Sequence, residues 1–476
     1  MSPMPKLRAI LAALAMTAAA AVPAAGCSSS SDTRGDESDP LTFAQTIEPL
    51  VQEKCQGCHR AGGIAPFPLV TYEDVKVMGA AAKDKVQRRE MPPWGAFDDP
   101  TCTVNHAFRD DLRLTDAQID SFVRWVDAGM PLGDPARRPP PRTTFGATNL
   151  ADKTATFQLP APHQVVPGKD DIRCFPIDPG FAEDTWIGGS NVVPGEPRVV
   201  HHVIVYVDPK REAMTKAGAA GSYPCFGGPD VSSPSLLLAW APGVPPTSYG
   251  EETGLKIPKG AHLVMQVHYH PAAEAVTDQT SIELKTLGYK PGYVADVILA
   301  GNAEDADGLI KLLPGPNDPP SGPAFVIPSN VKGHTESMEL VVPEKIGDVA
   351  LPQLGIYSVG AHMHWAGVDM KIEVERKAPP EGQPAKECLL GTPKYDFNWQ
   401  RGYQYDAPLD ALPVVGPGDK LRFTCTYDNT TGNRHVVRAM SEMRMSSPPE
   451  IKLGESTLDE MCLGVLVTVR RASLLD

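Results

Sequence analysis

Three hydrophobic rhythms divide the chain. Residues 9–22 are a short, nearly unbroken apolar run. From Leu41 to about Pro135 apolar residues recur at helical spacing. Phe43, Ile47, Leu50 and Val51 form one stripe, and Thr71 caps a second run through Val75 and Met78. The clearest helix starts at Thr115, where Thr115 and Gln118 make a capping box and Leu114 and Ile119 a hydrophobic staple; Gly129 stops it. Its predicted buried face is Ile119, Phe122, Val123 and Val126. After the Pro-rich stretch Ala136–Arg142, short β-branched runs alternate with Pro, Gly and Asp clusters, as in residues 198–208, 261–270, 356–364 and 463–470. The pattern predicts a multidomain protein: a small all-α domain at 41–135, a linker at 136–152, and two all-β jelly-roll (β-sandwich) domains at 153–290 and 291–476. The joint between the last two falls near Leu287–Asp296.

Composition adds little to that picture and charge adds an exclusion. The 476 residues are 42% hydrophobic and 21% charged, as in ordinary globular proteins. The formal charge of -14, with no polybasic patch, argues against nucleic acid as a partner. The N-terminus reads as an export signal over residues 1–26: Lys6 and Arg8 precede the apolar run, and Ala24-Ala25-Gly26 precede Cys27. A cysteine after small residues resembles the bacterial lipobox, so Cys27 is the expected lipidation site and residues 27–40, opening with Ser28–Ser31, the tether. The expected location is that of an exported bacterial lipoprotein, periplasm-facing or associated with the outer membrane and held by its lipid. No later segment has 18 uninterrupted apolar residues. Export permits disulfides, and six cysteines remain once Cys27, Cys55 and Cys58 are set aside. Spacing alone does not pair them.

The chemistry begins at Cys55-Gln56-Gly57-Cys58-His59. In a C-x-x-C-H segment two thiols add to the vinyl groups of a haem and the histidine ligates its iron, so a covalent c-type haem is expected at Cys55, Cys58 and His59. Three helices around such a segment are the make-up of a small all-α cytochrome c domain. Met91, held between Glu90 and Pro92-Pro93, is the favoured sixth ligand; Met78 and Met130 compete but sit in or beside helices.

The β region holds a second ligand set. His201-His202, His268 with His270, and His362 with His364 all lie in or at the ends of apolar strands. An H-x-H pair on a strand puts both imidazoles on one face, ready for one ion. An H-H pair points to opposite faces, so His201 and His202 share an ion only across a bulge or a strand end. Three such sets point to copper or zinc, and a thioether among the donors favours cuprous copper.

This constellation resembles the copper type II, ascorbate-dependent monooxygenases, the family of dopamine β-hydroxylase and the peptidylglycine α-hydroxylating enzyme, over roughly residues 155–470. The resemblance implies a first copper on His201, His202 and the His268 of Gln266-Val267-His268-Tyr269. It implies a second on His362, His364 and the Met461 of Glu460-Met461-Cys462, the site where oxygen reacts. Leu238-Ala239-Trp240-Ala241 and Thr424-Cys425-Thr426-Tyr427 resemble further family segments. By the same resemblance Cys174 pairs with Cys225 and Cys425 with Cys462, while Cys102 and Cys388 stay open. His270 is left unassigned, and His435 is either a neighbour of the second site or simply exposed.

Departures shape the expected substrate. Gly360 stands where peptide-amidating members carry an arginine, and Leu463 and Val465 replace their asparagine and tyrosine. A peptide C-terminus is therefore not expected, and the pocket should be less polar. The resemblance implies O2-dependent hydroxylation of a C–H bond in a small organic substrate with two copper ions as cofactors, to which the C-x-x-C-H segment adds one c-type haem. The haem suggests an exported electron donor in place of ascorbate, with the Pro-rich linker setting its reach. The rival expectation is a haem- and copper-holding electron-transfer lipoprotein without turnover.

Overall fold

Thr71 and Thr115 start the two longest helices, Tyr72–Gln87 and Asp116–Asp127. Each accepts a hydrogen bond from the third residue of its helix, Asp74 or Gln118, whose side chain reaches back to the cap. Both capping boxes thereby satisfy N–H groups that a helix start leaves unpaired. With the helix Glu48–Lys54 they enclose a small core of Phe43, Ile47, Val51, Val75, Phe122 and Trp125. The buried face of the last helix centres on Phe122 and Trp125 and leaves Val123 half-buried. Trp125 turns inward because its indole N–H donates to Pro131 O at 3.0 Å while its ring meets Phe43.

This computed structural model describes residues 41–474 apart from 62–64, 143–149, 169, 242–243, 271–273, 302–308, 347 and 455–458. The export signal, Cys27 and the tether through residue 40 lie outside the described residues.

Strands dominate the rest. A 15-stranded sheet includes Asp171–Ile177, Val200–Asp208, Ser235–Trp240, His262–Tyr269, Tyr293–Gly301, Leu354–His362 and Leu463–Arg471. A 5-stranded sheet centred on Lys332–Val341, Lys420–Asp428 and Gly367–Glu375 forms a further layer. Tyr293–Gly301 joins the halves, pairing parallel with Thr253–Ile257 and antiparallel with Leu463–Arg471. The shared core contains Val203, Val205, Leu263, Met265, Ile356, Val359, Ile372 and Phe423, all essentially inaccessible.

The expected fold class, an all-α cytochrome c domain followed by two jelly-roll domains, is therefore corrected. Residues 41–476 form one compact unit, a large multi-sheet β-sandwich with only five short α-helices among the described residues. The physical reason lies in residues 94–108, which leave the helices and enter the β core. Trp94, Ala96 and Phe108 belong to that core, with Trp94 and Phe108 against Tyr403 at ring separations of 5.0 and 5.3 Å. Backbone bonds from Arg109 N to Gln404 O and from Asp406 N to Ala107 O, both 2.8 Å, stitch the same seam. Cys102 is bonded to Cys388 across it. The Pro-rich stretch also packs back: Arg138 pairs with Glu48 at 2.7 Å, and Gln52 donates to Pro140 O.

Opening the cross-seam disulfide in a Cys102→Ser, Cys388→Ser variant should cost about 2–5 kcal/mol, as for native disulfides that close long loops. A urea midpoint unchanged from wild type would show that the aromatic contacts and backbone hydrogen bonds hold the seam without it.

Candidate functional site: a buried histidine cluster beside an apolar cavity

The strand Val200–Asp208 does not run in regular register past its histidines. His268 faces His202 across the pair, but Tyr269 faces Val200, so His201 is the extra residue of a bulge. The bulge turns two adjacent imidazoles toward the same place. His201 Nδ1 lies 3.1 Å from His268 Nδ1, and ligand atoms of His201, His202 and His268 all lie within 4.8 Å of one another. Two nitrogens on one tetrahedral ion with bonds near 2.0 Å are about 3.3 Å apart. The His201–His268 pair has that spacing, and with His202 the three could hold one ion.

His362 ends the strand Leu354–His362, and His364 follows beyond it. Their rings, 5.3 Å apart, face the first set: His202 to His362 is 6.0 Å and His201 to His364 is 6.4 Å between centroids. Backing groups fix which nitrogen is free. Asp170 Oδ1 lies 2.8 Å from His268 Nε2, Gln400 Oε1 2.6 Å from His362 Nδ1, and Asp459 O 2.8 Å from His364 Nδ1. A ring held on one nitrogen offers its lone pair on the other. His202 Nδ1, His270 Nδ1 and His364 Nε2 are buried with no hydrogen-bond partner. Burial, compounded by neighbouring imidazoles, holds His201 and His202 well below the usual histidine range and takes His270 and His364 down to about 3. Neutral imidazoles are the form that ligates a metal.

Met461, His202 and His362 share the wall of a cavity of about 440 Å³. Leu299, Leu463, Val465 and Val467 supply its apolar side, and Gly360 also lines it, where an added Cβ would meet Arg401 O at 3.3 Å and Val465 Cβ at 3.5 Å. Trp240 and Gln266 also reach it. Phe397 and Trp365, stacked at 5.0 Å, sit against the cluster, Phe397 being 4.9 Å from His201 and Trp365 6.0 Å from His270. His435 stands behind Phe397 and pairs with Asp396 at 3.1 Å.

Glu460 is a functional residue that the motif contained but sequence reasoning passed over. Fully buried, it accepts from the backbone N–H groups of His364 at 2.8 Å, Ala366 at 2.6 Å and Met461 at 3.1 Å. It thereby clamps the H-x-H turn to the methionine segment. Burial pushes its carboxyl up to about 7, and these donors pull the other way. Asp170 and Gln400 had no local signal, since each lies far from its histidine in sequence. Cys174 is bonded to Cys225 and Cys425 to Cys462, the latter beside Met461. The three disulfides indicate an oxidising, exported setting, and no described helix is long and apolar enough to cross a membrane.

Cys55 and Cys58 form no disulfide. His59 Nδ1 lies 3.1 Å from Phe67 O, which leaves Nε2 as the available ligand atom. Burial pushes Cys55 up to about 12 and raises Cys58, whose shift is opposed by Arg401 and Arg60. Arg401 lies over the Trp94 ring at 4.5 Å and also borders the cavity, so one residue adjoins both regions. Met91 lines a separate small hollow with Val86, Pro92 and Leu114, and none of Cys55, Cys58 and His59 lines it. Met78 and Met130 pack against the helical core.

Comparison with protein-family models and with curated proteins returns no match. Among solved structures, the major capsid protein P2 of bacteriophage PM2 aligns with a TM-score of 0.23 and 10% identity, covering 66% of this chain and 96% of that one. A peptide-N(4)-(N-acetyl-β-D-glucosaminyl) asparagine amidase aligns with a TM-score of 0.15 and 10% identity over 56% of this chain and 90% of that one. Superpositions this loose carry no argument about function.

Proposed function

We propose that the chain is an exported copper-dependent monooxygenase, hydroxylating a C–H bond of a small, largely apolar substrate with O2. The observation that carries this reading is the meeting of His201, His202, His268, His270, His362 and His364, with nitrogens of His202, His270 and His364 lacking partners, at a cavity that His202, His362 and Met461 line. His201, His202 and His268 would hold one copper, and His362, His364 and Met461 the other. The metals, when bound, supply the redox chemistry that activates O2.

The chain's own residues do the rest. Asp170 and Gln400 hold His268 and His362 by the nitrogen that does not ligate, and Glu460 holds His364 and Met461 in one frame. Leu299, Leu463 and Val465 keep water from the reacting C–H bond and accept an apolar substrate. Among the described residues that line the cavity none is a carboxylate.

A c-type haem on Cys55, Cys58 and His59 would supply single electrons from an exported donor, with Met91 as the proposed sixth ligand. Lipid on Cys27 would hold the protein at a membrane surface facing the periplasm.

The test uses protein matured with a c-type haem assembly system and loaded with copper. Expected are two coppers and one haem per chain, with O2 uptake matched by hydroxylated product when the haem is kept reduced. Copper and haem without product would leave an electron-transfer or metal-holding lipoprotein. Haem reoxidation should also slow in a His201→Ala, His202→Ala variant, and an unchanged rate would sink the relay.

A further inference from the structure

The structure assigns Arg401, together with Trp94, as a binding pair for a carboxylate, and the carboxylate it fits is a propionate of a haem held on Cys55, Cys58 and His59. This rests on the haem reading above. Arg401 directly precedes the short strand Gly402–Gln404, whose Gly402 pairs with Gly360 and lies on the cavity side. Side chains alternate along a strand, so Arg401 points with Tyr403 to the other side, where Trp94 and Phe108 pack. Its guanidinium carbon lies 4.5 Å from the Trp94 ring centroid and 5.8 Å from that of Tyr403.

Two donors in this packing are left over. Arg401 Nε and Trp94 Nε1 are buried without a hydrogen-bond partner, and Trp94 is only 4% exposed. Arg401 makes no ion pair among the described residues: Asp110 and Asp111 act on it only from a distance, and Asp111 is held by Arg113 at 2.6 Å. The Tyr403 hydroxyl is engaged as well, accepting from Gly95 N at 3.0 Å. A guanidinium withdrawn from water with no counter-charge is costly, and an indole N–H with no acceptor adds to the cost. Burial holds the Arg401 guanidinium below its ordinary value, the direction expected of a cation that lacks its anion. One carboxylate answers both needs, accepting from the planar guanidinium and from the indole while balancing the charge.

The surroundings of the pair select the propionate. The charge of Arg401 acts on Cys58, the second thiol of the C-x-x-C-H segment. Trp94 comes three residues after Met91, the proposed sixth ligand. The pair is therefore tied to both segments proposed to hold the haem, although Arg401 itself belongs to the sandwich. The haem pocket is then completed by the β region and is not closed by the helices alone.

The experiment compares haem-matured, full-length wild type with Arg401→Gln, Arg401→Lys and Trp94→Phe, with covalent haem counted from the pyridine haemochrome spectrum. Resonance Raman scattering reads the propionate bending mode, and a redox titration reads the haem potential. The mode is expected to shift in Arg401→Gln and in Trp94→Phe, which keeps the ring and removes only the N–H. The potential is expected to fall in Arg401→Gln, because loss of a cation beside the haem favours the ferric state, and to be largely restored in Arg401→Lys. Full haem loading with an unchanged mode in both Arg401→Gln and Trp94→Phe would overturn the assignment and leave the haem reading standing. Wild type without covalent haem would sink both. A potential that moves with added acetate in wild type, but not in Arg401→Gln, would show the pair taking a carboxylate from solution and would remove the propionate from it.

Discussion

Glu460→Ala is expected to lose about 3–6 kcal/mol of stability and, with it, the second metal position. The carboxylate accepts three backbone N–H groups, from His364, Ala366 and Met461. Alanine leaves all three unsatisfied in a buried place, at about 1–3 kcal/mol each, partly offset because the cost of burying the carboxyl itself is removed. Glu460→Gln should fall between. Its amide oxygen keeps part of the set, but its NH2 faces donors and cannot accept. Urea denaturation of the three proteins reads the difference directly, and an alanine variant within 1 kcal/mol of wild type would mean that the turn is held by other contacts. Because the clamp joins residues 364 and 461, the same variant should bind less copper even under conditions where it remains folded.

Met461→Ala is expected to leave the fold intact and bind one equivalent fewer of Cu(I). The thioether sits on the cavity wall with His362, and its backbone is fixed independently of its side chain: Met461 N donates to Glu460 and Met461 O accepts from Tyr427. Truncation therefore removes a soft donor and little else. Soft sulfur favours the cuprous state over zinc or cupric copper, so the loss should be larger for Cu(I) than for Cu(II). Chelator competition in both oxidation states measures this. Equal affinity for Cu(I) in variant and wild type would take Met461 out of the ligand set and with it the distinction between the two metal positions.

What was legible in the sequence was local. The Thr71 and Thr115 caps are set by residues three apart, and both form as expected. Strand alternation required a bulge or strand end if His201 and His202 were to point together, and the register slips at that place. What was illegible was long-range. Nothing near Trp94 or Cys102 announces partners some three hundred residues later, so a helical stretch with its own small core read as a free-standing domain. Asp170 and Gln400 were missed for the same reason: a backing group is recognised by where its oxygen lies, and polar residues in loops carry no period. Trp125 shows a smaller failure, in which one indole hydrogen bond outweighed the apolar stripe and turned the helix face.

The seam between helices and sheets has a consequence for timing. A redox module on a slack tether must find its docking position afresh each cycle, and its rate then depends on solvent viscosity and tether length. Here Trp94 and Phe108 are part of the sheet core, Cys102 is covalently joined to Cys388, and Arg138 folds the proline stretch back onto Glu48. Any electron passing from the Cys55–His59 segment toward the histidines crosses a distance set once, when the chain folds, with no search step to wait for.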